Sequence, residues 1–182
     1  MAGVDYRIVP LADYEPDILY QKQVEAYYAD PGLNKPVGRF GNAADKWGLA
    51  NWMAAAVADE ADADVGFYHI GGVRLDSIPA GGVSAAKVYG LEPFGTLVAR
   101  MEMTPAQMRR MIVSKYNDPV NAKEAHRIDL ISTTPYVIVT DAADNALDVQ
   151  FPKLREGRKY KVAVSDYIYR NYKDMEYTGG EI

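Results

Sequence analysis

A chain of 182 residues, 48% apolar and 25% charged, is long enough to bury one core, and a single structural domain is the default. Its net charge of -5 argues against a general nucleic-acid binder, whose affinity rests on a basic surface that neutralises phosphates. With no cysteine there is no disulfide, zinc thiolate or thiol nucleophile; no apolar run approaches the length of a membrane span, and no leader-like stretch opens the chain.

In chain order, Tyr6 to Leu11 predicts a short strand, and a polar entry through Asp13, Glu15 and Pro16 leads into a helix with Ile18, Leu19, Val24, Tyr27 and Tyr28 on its apolar face. Asp30-Pro31-Gly32 ends that helix. Residues 33–46 carry Pro36, Gly38, Gly41 and Asn42 and predict loop with one short extended piece. Trp47 to Ala58 is apolar nearly all round and rich in alanine, the pattern of a buried helix. An acidic turn, Asp59 to Asp64, precedes a strand from Val65 to Ile70 that delivers Gly71 and Gly72 at its end. Residues 75–90 predict loop and a short helix, and Thr96 to Met103 alternates as a half-buried strand.

The best local signal follows. Thr104 stands as N-cap, Pro105 at the first helical position and Gln107 at the capping-box position, with Met103 and Met108 placed as a hydrophobic staple, so a helix is expected from Pro105 to about Tyr116. Beyond a polar loop, strands are expected around Tyr136 to Thr140, Ala146 to Phe151 and Tyr160 to Val164, separated by turns at Asp141 to Asn145 and Arg155 to Gly157. There is no internal repeat.

Two short motifs carry chemistry. In Gly71-Gly72-Val73-Arg74 the paired glycines let a ligand approach the backbone and the Arg offers a fork of donors to phosphate; in Pro93-Phe94-Gly95 the Phe offers a flat face to a base. Taken singly, each also has an ordinary reading, a turn at a strand end and a strand edge with a core Phe. The two histidines, His69 and His126, have no metal-ligand spacing and cannot assemble a two-metal centre. His69 is expected as a strand-end residue satisfied by the backbone, and His126 beside Arg127 as exposed. The acidic run Asp59, Glu60, Asp62 and Asp64 lacks the spacing and glycine of a calcium loop. No phosphate-binding loop, dinucleotide fingerprint or nucleophile elbow is present.

Taken together, the helix at 47–58, the strand to Gly71-Gly72-Val73-Arg74, Ile78-Pro79-Ala80-Gly81, Val88-Tyr89, Pro93-Phe94-Gly95 and the capped helix resemble, in order and spacing, the 5'-nucleotidase C-terminal domain family. That is the substrate-binding domain of periplasmic or cell-surface 5'-nucleotidases and UDP-sugar hydrolases. Tyr160 to Tyr167 is similar to the family's closing motif.

The resemblance implies an α+β fold with a mixed sheet packed with helices, residues 1–38 as a helical connector, and residues 39–182 as the substrate-binding domain. It implies that Phe94 and Tyr167 sandwich a base, that Arg74 holds the phosphate or a neighbouring acidic group, that Arg39 is a weaker match to another arginine of the family, and that Gly71, Gly72 and Thr96 complete the site. The expected ligand is a nucleotide or nucleoside. Hydrolysis to nucleoside and phosphate would need two divalent metal ions in a metallophosphatase domain, fused or separate, in an exported protein; this chain contributes no catalytic or metal-binding residue. The chain departs from the family pattern at His69 and Ile70, at Thr96, and in the run Tyr169 to Asp174, which stands where the family has a glycine-rich loop. The alternative is a diverged, non-catalytic exported module for ligand binding or interaction. The expectation is either that the native sequence continues past Ile182 or that residues from about Tyr169 onward are mobile or packed on another chain.

Overall fold

The computed structural model describes residues 6–120 and 129–182. Its centre is a five-stranded mixed sheet in the order β11-β6-β10-β3-β7, built from β3 (Val65–His69), β6 (Val98–Met103), β7 (Leu130–Ser132), β10 (Tyr160–Ser165) and β11 (Thr178–Glu181). β10 runs parallel to β3 and antiparallel to β6, while β7 and β11 close the edges antiparallel to their neighbours. This is the expected α+β fold.

Alternation along the strands divides the interior into two cores. Val65, Phe67, Met101, Met103, Val162 and Val164 point to the side covered by α5 (Pro105–Tyr116), where Met108, Met111 and Ile112 meet them. The hairpin of β8 (Val137–Thr140) and β9 (Ala146–Gln150) completes that side with Val149. Tyr68 and Ala163 point the other way, toward Leu49, Ala50, Ala54 and Val57 of α3 (Lys46–Glu60). Small residues set the spacing there: Gly66 of β3 lies directly beneath Ala54 and Ala58.

α5 begins as its sequence dictates. The Thr104 hydroxyl accepts from the Gln107 N–H at 3.4 Å, the Gln107 side chain accepts from the Thr104 N–H at 2.8 Å, and Met103 and Met108 are fully buried. α3 differs from expectation. It buries one face only and leaves Trp47 and Trp52 each 42% exposed, because a single sheet supplies one apolar surface; Phe40 meets Trp52 edge-on from outside.

The connections are more ordered than their composition predicts. β1 (Pro36–Phe40) pairs with β5 (Gly81–Ser84), β2 (Ala44–Asp45) pairs with β4 (Ser77–Ile78), and α4 (Ala85–Leu91) starts on a Ser84 cap. The opening strand expected at Tyr6 to Leu11 does not form: no strand among the described residues lies beside it, Tyr6 and Ile8 are more than four-fifths exposed, and Leu11–Asp13 makes a short 3-10 turn. α1 (Ile18–Tyr28) is held by its Asp17 cap, and none of its residues is buried, so its apolar face stays open among the described residues.

The last residues pack on this chain's own core. β10 leads into α6 (Asp166–Asn171), Tyr169, Tyr172, Met175 and Tyr177 pack against the α5-side core, and β11 adds to the edge of β6. His126 lies outside the described residues.

Candidate functional site

Because β10 and β3 are parallel, both end at the same edge of the sheet, and the antiparallel β6 and β7 begin there. His69, Asp166, Tyr167, Thr96 and Asp129 therefore converge, and Lys115 arrives from the last turn of α5. They surround a cleft of about 640 Å³ to which Phe94, Gly95, Gly71 and Arg170 also contribute. Ends of parallel strands are where open sheets commonly bind ligands, since chain reversals leave a crevice there.

Phe94 rides on a loop fixed by carboxylates. Glu92 accepts from the Phe94 N–H at 3.3 Å, from the Thr96 N–H at 3.4 Å and from the Thr96 hydroxyl at 2.7 Å. Asp166 accepts from the Leu97 N–H at 3.3 Å and donates its own N–H to the Leu97 carbonyl at 2.8 Å. Gly95 makes the turn at φ +62°, a conformation that favours glycine. The loop holds Phe94 out, 61% exposed, while Tyr167 at the start of α6 is 49% exposed. Two rings that exposed are available to a ligand.

Behind Tyr167 is a stack of rings. The imidazole of His69 lies 4.5 Å from Tyr167 at 22° between planes, and Tyr68 lies 5.2 Å from His69 at 30°. Gly72 makes room for it: a Cβ there would come within 2.6 Å of the imidazole and 3.0 Å of the Tyr68 ring. The expectation that backbone would satisfy His69 fails, because its Nδ1 is buried without a hydrogen-bond partner among the described residues, as is the Tyr68 hydroxyl. Burial, the leading cause, holds the His69 pKa below its ordinary value, so the ring is neutral at neutral pH. Burial with neighbouring carboxylates pushes the Tyr68 hydroxyl up to about 12.

The opposite wall is polar. Lys115 lies 3.5 Å from Asp129 and 5.0 Å from the ring centre of Tyr172, whose hydroxyl donates to the same carboxylate. Burial first, then Asp129, pushes the Tyr172 hydroxyl far above its usual range, and it remains a donor at any ordinary pH. Tyr172→Phe is expected to cost about 1.5–3 kcal/mol, the worth of a hydrogen bond to a charged group. Urea denaturation measures it, and an unchanged midpoint would show that solvent serves Asp129 equally well.

Of the residues singled out from sequence, Phe94, Tyr167, Gly71 and Thr96 line this one cleft. Gly72 is buried beneath His69. Arg74 is not among the residues lining the cleft; its guanidinium carbon lies 5.9 Å from the Phe94 ring centre, and its backbone N–H donates to the Leu91 carbonyl. Arg39 sits on β1 opposite Gly82, away from the cleft. His69, Lys115, Asp129, Asp166 and Arg170 are cleft residues that were not read from sequence. The signal that finds them is positional: His69, Lys115, Asp129 and Asp166 sit at or next to the end of a sheet strand or of α5, and Arg170 follows one turn after Asp166 on α6.

Residues 33–177 match the family described as 5'-nucleotidase, C-terminal domain. The chain belongs to that family. Among solved structures it is similar to the 5'-nucleotidase precursor of Thermus thermophilus, with a TM-score of 0.64 at 17% identity over 88% of this chain and 36% of that one. It is also similar to the NAD nucleotidase of Haemophilus influenzae, with a TM-score of 0.60 at 17% identity over 87% of this chain and 33% of that one. At such identities the likeness establishes the fold, and the chain spans about a third of the length of these structures. The search of curated proteins found no match.

Proposed function

We propose that this domain recognises the nucleoside part of a nucleotide, with the base between Phe94 and Tyr167, and serves a 5'-nucleotidase reaction whose chemistry occurs on a metallophosphatase domain. The observation that carries the reading is the pair of exposed rings in one cleft at the ends of β3 and β10. Base stacking on aromatic faces contributes roughly 1–3 kcal/mol per base and tolerates base identity. Membership of the family and the names of the two relatives support the substrate class.

Two divalent metal ions belong to this reading as cofactors of the metallophosphatase domain, in the same chain or a separate one. They do not fit here: among the described residues no group of three or more His, Asp or Glu side chains is placed to hold a metal. No helix among them is long and apolar enough to cross a membrane, and an exported location is part of the same proposal. A second reading, a non-catalytic ligand-binding module, is favoured by the aromatic-rich α6 and its following turn, which stand where the family resemblance leads to glycine-rich backbone.

Titration with adenosine, followed by NMR or calorimetry, tests the site; saturable binding perturbing Tyr167 and Phe94 is expected, and no binding at millimolar concentration would overturn it. Incubated with AMP and manganese, this chain alone is expected to release no phosphate. Release abolished by EDTA and retained through repeated purification would place catalysis here after all.

A further inference from the structure

Other rings hold Tyr167 in place. His69 is the last residue of β3, and a 3-10 turn at Ile70–Gly72 follows it, with the Ile70 N–H donating to the Asp129 carbonyl at 2.8 Å. Neighbours along a strand point to opposite faces, yet the Tyr68 and His69 rings lie 5.2 Å apart at 30°. They can do so because the strand ends there and both rings reach Gly72, where a Cβ would come within 2.6 Å of His69 Cε1 and 3.0 Å of Tyr68 Cε1. Tyr167 lies 4.5 Å from His69 at 22°, and Tyr172 meets Tyr167 edge-on at 6.4 Å and 79°. Tyr172 is anchored in turn through its hydroxyl to Asp129. The backbone beneath Tyr167 is fixed as well, since the Ser165 hydroxyl caps α6 by accepting from the Ile168 N–H at 3.3 Å. Among the described residues the imidazole itself has no polar anchor at Nδ1; stacking and the space over Gly72 set its place, although an unpartnered buried nitrogen costs stability.

We propose that His69 is a positioning residue: its imidazole, seated over Gly72 and backed by Tyr68, fixes the Tyr167 ring in one orientation, with the ring's other face turned to the cleft. The use of that fixed ring rests on the reading that a base stacks between Phe94 and Tyr167; the fixing itself does not. His69 is one of the positions at which the chain departs from the family pattern, so this support is a device of this chain. It is the counterpart of the loop that holds Phe94 through Glu92 and Gly95. A ring ordered before the ligand arrives has less freedom to lose on binding.

The test reads the Tyr167 side chain in the whole chain by NMR, without ligand first, in the wild type, in His69→Leu, which keeps apolar bulk without a plane, and in His69→Phe, which keeps a plane. Three-bond couplings should give Tyr167 a single χ1 rotamer in the wild type and in His69→Phe, and an average over rotamers in His69→Leu. Adenosine should then bind His69→Leu about threefold to tenfold more weakly than the wild type, the worth of one aromatic pair, and His69→Phe should restore most of the loss. A Tyr167 rotamer already averaged in the wild type, or still single in a folded His69→Leu chain, would overturn the proposal. If His69→Leu does not fold, His69→Phe decides: a single Tyr167 rotamer supports the proposal and an averaged one overturns it. A freed ring with unchanged adenosine affinity would show that the fixed orientation does not serve binding, and overturn that part. Failure of the wild type to bind adenosine, with Tyr167 in a single rotamer, would sink the base-stacking reading and leave His69 as the residue that fixes the ring.

Discussion

Gly66→Ala is expected to destabilise the fold by about 3 kcal/mol or more, at or above the top of the range for overpacking a core. The added methyl would fall on the carbonyl oxygen of Ala54 and come within 2.9 Å of Ala58 Cβ. The obstacle is helix backbone, which cannot rotate aside as a side chain would. α3 must therefore lift from β3, opening gaps around Leu49, Ala50 and Tyr68, all fully buried. For a chain of this size the melting temperature should fall by roughly 6–12 °C. Gly41→Ala is the control, since a methyl there meets nothing within 4 Å and the change should stay within about 0.5 kcal/mol. Equal melting temperatures for the two variants would show that the contact between α3 and β3 is looser than the structure has it.

That contact also explains which parts of the fold sequence can reveal. The alanine-rich run at 47–58 announced a helix and Val65 to Ile70 a strand; only their juxtaposition shows that Gly66 and the facing alanines are each small for the sake of the other. α5 was legible end to end because its cap, Pro105 and Met103–Met108 staple are all local. Tyr6 to Leu11 has strand composition and no strand, because pairing needs a neighbour that the described fold does not place there. β7 was missed for the opposite reason: three residues, Leu130–Ser132, are too few for a pattern, and β3 supplies the partner that makes them a strand.

At the site, sequence identified what motifs carry and missed what topology brings. Phe94 and Tyr167 come from separate motifs and share one cleft. His69 looked like an ordinary strand end because no local pattern says that Tyr167, at the start of the helix that follows the neighbouring parallel strand, will cover its face. Gly72, read as room for a ligand, is room for that imidazole. Asp129 and Lys115 have no sequence signature as a pair; they meet because α5 ends beside the start of β7.

Phe94→Ala gives the cleanest measure of the cleft, and it is expected to weaken adenosine binding by roughly 1–3 kcal/mol, about fivefold to a hundredfold or more in Kd. Its effect on stability should be small, within about 0.5 kcal/mol, because a ring 61% exposed on a loop held by Glu92 and Gly95 supports little of the core. Were Phe94 a core residue, the same change would cost about 3–5 kcal/mol of stability, so a melting curve run beside the titration separates the two roles. Tyr167→Ala is less direct, since removing that ring uncovers His69 and disturbs the stack behind it. Phe94→Leu sharpens the result: it keeps apolar bulk without a π face, and should lose most of the same affinity if stacking is the interaction. A Phe94→Ala protein that binds adenosine as tightly as the wild type would remove the base from this cleft, whatever the family membership implies.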